Sequence, residues 1–137
     1  MNGYMQYKEQ SISTMTQGEL LLRLYDELQK RLLRAQFALE QENYPLFEQS
    51  VARCKDIVTY LTETLDYQYP ISQNLRQLYD FFQYELARLL SGRRQEVIQE
   101  LKPLIEELKG AFEEADRKES GNMKLEGRFQ MSRGKKG

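Results

Sequence analysis

One cysteine, no histidine and two pairs of adjacent glutamates are the reactive side chains this 137-residue chain offers. Without histidine it lacks the commonest general base at neutral pH and the commonest transition-metal ligand. The Glu-x-x-His pairs of di-iron bundles are therefore excluded, and one cysteine with no histidine cannot build a standard structural zinc site. Gly18, Gly92 and Gly110 stand singly, so there is no phosphate-cradling loop or dinucleotide fingerprint. Glu106-Glu107 and Glu113-Glu114 fall on the outward side of a helical pattern, where a solvated face is the better reading than an acid/base pair. Cys54 falls in an apolar seam and is expected to be buried and inert. The chain is read as a non-enzyme with no cofactor and no metal, acting through its surfaces.

The elements carrying those surfaces follow from apolar spacing. Forty per cent of residues are hydrophobic and 30% charged, which suits helices with one dry and one wet face. Thr16-Gln17-Gly18-Glu19 reads as a capping box opening a helix that runs to about Gln41. Its stripe is Leu21, Leu24, Tyr25, Leu28, Leu32, Ala35 and Leu39; Leu20, Leu22, Leu33 and Phe37 lie off it, more apolar surface than a core-facing stripe needs. Asn43 opens a second helix with Pro45 in its first turn and a stripe of Phe47, Val51, Cys54, Val58, Leu61 and Leu65. Tyr67 to Pro70 breaks the pattern, because the residue before a proline is pushed out of the helical region.

Ser72 is expected to cap a third helix with a stripe of Leu75, Leu78, Tyr79, Phe82, Leu86 and Leu89, closing at Ser91-Gly92. The fourth carries Val97, Leu101, Leu104, Leu108, Ala111 and Ala115, and Pro103 is expected to bend and weaken it. The tripeptide Leu-Tyr-Asp recurs at Leu24-Tyr25-Asp26 and Leu78-Tyr79-Asp80, one copy in each of two helical hairpins. Its rings are assigned to the core and its carboxylates to the bundle surface. Helices of matched length joined by short loops pack antiparallel. The predicted fold is all-α, an antiparallel up-down-up-down four-helix bundle over residues 16–116. An irregular arm (1–15) precedes it, and a basic, disordered tail (117–137) follows.

Charge is uneven. From Arg117 onward there are seven of the 20 Lys and Arg but only two of the 21 acidic residues, so the body is acidic and the tail basic. An acidic body will not attract nucleic acid, and a short basic tail reads as a solvated end. No apolar run approaches the ~20 residues of a membrane span, and the first residues lack the apolar stretch of a secretory signal. With a single cysteine, the chain is read as cytoplasmic.

Nine tyrosines and no tryptophan leave a surplus of amphipathic rings. Tyr4, Tyr7, Tyr60, Tyr67, Tyr69, Phe81 and Tyr84 fall outside or beside the stripes; they suit a surface that alternates between wet and covered, or equally a wide core or a dimer seam.

Several of these segments resemble the FliS family of flagellar secretion chaperones. Tyr7-Lys8-Glu9-Gln10-Ser11-Ile12-Ser13-Thr14 is similar to the family's opening, Thr14 to Leu20 to the segment that starts its first helix, and Leu24-Tyr25-Asp26 follows at the family's spacing. Thr64-Leu65-Asp66 and Asn74-Leu75-x-x-Leu78-Tyr79-Asp80 match its downstream signatures. The chain departs from the pattern at Gln17, at Tyr67-Gln68-Tyr69-Pro70 and at Pro103.

The resemblance implies a cytoplasmic export chaperone. It would bind the carboxy-terminal helical segment of flagellin, block premature polymerisation and escort its cargo to the type III export gate without hydrolysing ATP. Flagellin and an export-gate component are the implied partners, with room for a further regulatory protein and a free state that is a monomer or weak dimer. The alternative is a self-associating helical adaptor without flagellin cargo. Cargo contacts are expected in a groove edged by helices 2 and 3, at Ile57, Leu61, Leu65, Ile71, Leu75, Leu78 and Phe82. Tyr4, Tyr7 and Ile12 match the family's amino-terminal segment, a cap or export-gate contact.

Overall fold

The structure is a computed structural model that describes residues 17–129, with side chains through Lys118. Four helices follow one another: α1 (Gln17–Glu40), α2 (Tyr44–Glu63), α3 (Ile71–Gly92) and α4 (Gln95–Phe129). The described residues contain no strand, so the expected all-α bundle is the fold observed. Thr16, the arm residues Tyr4, Tyr7 and Ile12, and the last eight residues lie outside the described segment.

The chain divides into two units, Arg23–Glu107 and a second that joins the residues up to Leu22 with those from Leu108 on. In the first unit all four helices supply one core. Tyr25, Leu28, Leu32, Ala35 and Ala38 come from α1; Phe47, Val51, Cys54, Val58 and Leu61 from α2; Tyr79, Phe82, Leu86 and Leu89 from α3; and Val97, Ile98, Leu101 and Ile105 from α4. Polar side chains register the helices at their edges. Gln29 bonds Glu106, Lys102 bonds Gln36 and Gln95 bonds Glu40 at 3.2 Å, so α4 runs antiparallel to α1. Gln83 Nε2 reaches both the Lys55 carbonyl and the Thr59 hydroxyl at 3.0 Å, closing the seam of the α2–α3 hairpin.

Short loops hold because their ends are capped. Between α1 and α2 the Asn43 amide bonds the Ala38 carbonyl and the Glu42 amide the Leu39 carbonyl, with Glu42 left-handed (φ 58°). This is the Schellman arrangement, made here without glycine. Asn43 then caps α2 as expected, its side chain accepting from the Leu46 amide at 3.3 Å. Ser72 does not cap α3: Pro70 stands at the cap position, and the Ser72 hydroxyl, inside the first turn, donates to the Asp66 carbonyl at 2.5 Å. The side chain thereby ties the turn shut across six residues. Gly92 is the last residue of α3, and the left-handed residue is the next one, Arg93 (φ 52°). Its guanidinium lies 3.6 Å from the centre of the Tyr44 ring, a cation–π contact that helps hold this conformation.

One expectation for α4, its buried row, is corrected. The helix continues past Asp116 to Phe129, with Glu114 paired to Arg117 at 2.5 Å and to Lys118 at 3.9 Å on the i+3 and i+4 positions that support a helix. The buried row is Val97, Ile98, Leu101 and Ile105, while Leu104 and Leu108 are half-buried and Ala111 and Ala115 exposed. Val97 and Leu101 are common to both rows, and the buried face is turned by about half a residue's rotation from the expected stripe, toward Ile98 and Ile105. Pro103 sits inside α4, where it deprives the carbonyl four residues back of its amide donor, yet the helix runs through it unbroken. In the second unit Gly18 faces Asp116 so closely that a Cβ there would run into the Asp116 carboxylate.

Candidate functional site

No group of three or more His, Cys, Asp or Glu side chains among the described residues is arranged to hold a metal ion. Cys54 is fully buried and its thiol is pushed up to about 12, chiefly by burial, with Arg31 pulling weakly the other way. That keeps it a thiol rather than a nucleophilic thiolate at neutral pH. Tyr25 and Tyr79, the central residues of the two Leu-Tyr-Asp copies, are both in the core with their hydroxyls bonded to each other. Burial raises both phenols above their ordinary value, Tyr25 far above it. Asp26 and Asp80 point outward, to Lys30 at 3.2 Å and Arg76 at 3.4 Å. The duplicated motif therefore joins α1 to α3 internally and pairs charges outside, as expected of scaffold.

What can act is apolar surface. Eight large apolar or aromatic side chains are exposed among the described residues, and they form two patches and scattered single rings. The first patch is the α2–α3 turn, with Tyr67, Tyr69 and Ile71 projecting within five residues. The turn is held rigid by its own bonds. The Asp66 carboxylate accepts from the Gln68 amide at 3.0 Å, Ser72 closes on the Asp66 carbonyl, and Arg76 donates to the Tyr67 hydroxyl at 3.1 Å. The Tyr67 and Asp80 contacts raise the pKa of Arg76 and keep it charged beside the patch. Phe81 and Tyr84 are exposed on α3 and Tyr60 on α2. The second patch, Leu33 and Phe37, lies on α1.

The seven residues expected to contact cargo do not share one environment. Ile71 is 56% exposed, and Leu65 and Leu78 are half-buried. Leu61 and Phe82 are core, and Ile57 and Leu75 have less than a tenth of their surface free. Their positions around the helices differ as well. Lys55 and Thr59 mark the α2 edge that meets α3. At 3.6 residues per turn, Ile57 lies about 160° round α2 from both. Leu65 and Ile71 flank Tyr67 and Tyr69 along the α2–α3 turn. The α1 patch was visible in sequence only as surplus: Leu33 and Phe37 lie off the core stripe with no structural demand to explain them.

Two open hollows lie along the α1 patch. One, of about 550 Å³, is lined by Lys30, Leu33, Arg34, Gln36, Phe37 and Glu40. The other, of about 380 Å³, shares Leu33 and adds Gln29, Leu32, Lys102, Pro103, Ile105 and Glu106, so it lies between α1 and α4.

Comparison with known proteins converges on one family. Residues 1–119 match the sequence model of the family described as flagellar protein FliS. The chain is also similar to the flagellar secretion chaperone FliS of Bacillus subtilis (strain 168), with 24% identity over 114 residues, 83% of this chain and 86% of that protein.

Proposed function

The chain belongs to the FliS family of flagellar proteins, and on that premise we propose that it is a cytoplasmic export chaperone for flagellin. In this reading it holds the carboxy-terminal segment of flagellin as helix, keeps that segment from polymerising early and delivers it to the flagellar type III export apparatus. The observation that carries the reading is the family match over residues 1–119, which spans most of the helical body. The name of the Bacillus relative, a secretion chaperone, agrees with it.

The chemistry of the surface supports a binding role. Exposed Tyr67, Tyr69 and Ile71 on a rigid turn offer anchors for the apolar stripe of an amphipathic helix. A segment that folds as it binds can bury on the order of 1,000–3,000 Å², from which its ordering subtracts a few kcal/mol; capture is specific yet reversible. The FliS chaperones are not an enzyme family, and the proposed cycle includes no catalysis. None of the described helices is long and apolar enough to cross a membrane.

The test is co-purification of the full chain with flagellin and with flagellin lacking its carboxy-terminal segment. Capture of the first and loss of the second is expected. Equal capture of both, or of neither, would refute the proposal.

A further inference from the structure

The last residues of α4 are sorted by charge around the helix. Gly18 of α1 meets Asp116, so α1 begins at that level, and the residues from Arg117 to Phe129 carry α4 about 20 Å beyond it. At 3.6 residues per turn, the positions of Lys124, Arg117, Arg128, Leu125, Lys118 and Phe129 follow one another round an arc of about 140°. That arc holds every cation of the extension and two of its three large apolar residues. Glu119 and Glu126, its acidic residues, fall together on the opposite side with Met123. Arg133, Lys135 and Lys136 follow in the sequence with no further acid.

From this arrangement we propose that the end of α4 is a docking face for an anionic lipid bilayer, against which the helix lies flat. A bilayer interface accepts both kinds of residue at once, cations among the headgroups and apolar residues at the edge of the acyl chains. Leu125 and Phe129, one turn apart, supply the second kind on the side that carries the cations. A nucleic acid duplex draws on the cations alone, and Leu125 has no counterpart in it. With the glutamates on the opposite side, the arc presents no acid to an anionic surface.

Glu114 pairs with Arg117 at 2.5 Å and with Lys118 at 3.9 Å, at exposed positions where such pairs are weak. These pairs steady the root of the extension, and Lys124 and Arg128, farther out, carry the contact. From Arg117 onward the chain has seven cations and two acids, whereas the residues before it are acidic, so attraction is confined to this end. A single short helix with two apolar anchors adsorbs reversibly and does not insert. This docking is separate from flagellin capture and goes beyond it.

Co-sedimentation of the full chain with vesicles of equimolar phosphatidylglycerol and phosphatidylcholine tests this, beside vesicles of phosphatidylcholine alone. The wild type is expected on the anionic vesicles and not on the neutral ones, with binding that weakens as salt rises. At about fivefold per cation near an anionic surface, Lys124→Glu combined with Arg128→Glu should lower affinity about tenfold or more. Leu125→Ser combined with Phe129→Ser keeps the charge and should also lower it about tenfold or more. Circular dichroism should show the helical body intact in both, because these positions lie beyond the buried row that ends at Ile105. A wild-type chain that ignores anionic vesicles at low salt, or binds neutral ones equally, overturns the proposal. So does wild-type vesicle binding by the Leu125, Phe129 variant, which would leave charge as the sole determinant. Capture of an RNA oligonucleotide that the charge-reversal variant loses, while its vesicle binding persists, would overturn it too and give the basic face to nucleic acid.

Discussion

The hydroxyls of Tyr25 and Tyr79 lie 2.5 Å apart inside the core, joining two copies of one tripeptide that stand 54 residues apart in the chain. Each ring fills a buried position on its helix, and each hydroxyl solves the other's hydrogen-bonding problem where water cannot reach. Asp26 and Asp80, one residue on, fall on the outside and pair with cations of their own helices. One short pattern thus sets a helix's rotation from both sides.

Removing one partner should cost more than removing both costs in proportion. Tyr25→Phe or Tyr79→Phe takes a hydrogen-bond partner away from a buried hydroxyl, and each is expected to lower stability by about 1–3 kcal/mol. The double variant should lose less than the sum of the two singles. Urea denaturation of the three variants reads this directly; additive losses would mean that the hydroxyls are not coupled.

The same pair makes the fold sensitive to alkali. Both phenols are raised above their unfolded value of 10.0, so between that value and the folded one the unfolded chain has released protons that the native chain retains. Their contribution is fully present below about pH 10 and is lost as pH rises above it. Cys54, pushed up from 9.0 to about 12, acts in the same direction from about pH 9. Denaturation midpoints should fall from pH 9 to 11. In the Tyr25→Phe, Tyr79→Phe double variant the fall should be shallower. A tyrosinate absorbance titration should show two of the nine tyrosines ionising only as the helices melt.

At the α2–α3 turn, Ile71→Asp and Tyr69→Ala should weaken flagellin capture about tenfold or more without changing helicity, because both side chains are more than half exposed. Ile57→Asp is expected to behave differently. Its side chain is almost wholly enclosed, so a carboxylate there should lower the melting temperature itself. Pull-down and thermal melts on the same three variants separate the effects; normal capture by both turn variants would move the cargo site elsewhere.

Pro103 offers a gain. It is exposed, and as the ninth residue of α4 it costs a helix interior up to about 3 kcal/mol relative to alanine. Pro103→Ala should raise stability by about 1–3 kcal/mol in urea and slow amide exchange around Gln99. Unchanged stability would mean that the helix has already absorbed the proline by packing.

The order and approximate limits of the four helices were legible in the residues, because a 3.6-residue apolar rhythm and local capping groups act over only a few positions. Asn43, with its acceptor side chain three residues before an amide needing one, is an example. Ser72 looked like a similar signal and is not. Its hydroxyl found the Asp66 carbonyl six residues back, a partner that exists only once the turn has closed. Family membership was legible as well, since it rests on short motifs in order.

Which of two adjacent apolar rows faces inward was not legible. A stripe about 100° wide contains both Leu104 and Ile105, and only packing against three other helices turns Ile105 into the core and leaves Leu104 at its edge. The same holds for the surface: Ile57 and Ile71 are chemically equal, yet one is enclosed by its neighbours and the other projects from a turn. The sequence by itself determined the helices, the absence of histidine-based chemistry and the family. The tertiary structure alone decided that the two tyrosines of the repeated motif meet and that, among the described residues, Leu33 and Phe37 of α1 stay exposed, because burial depends on residues far apart in the chain.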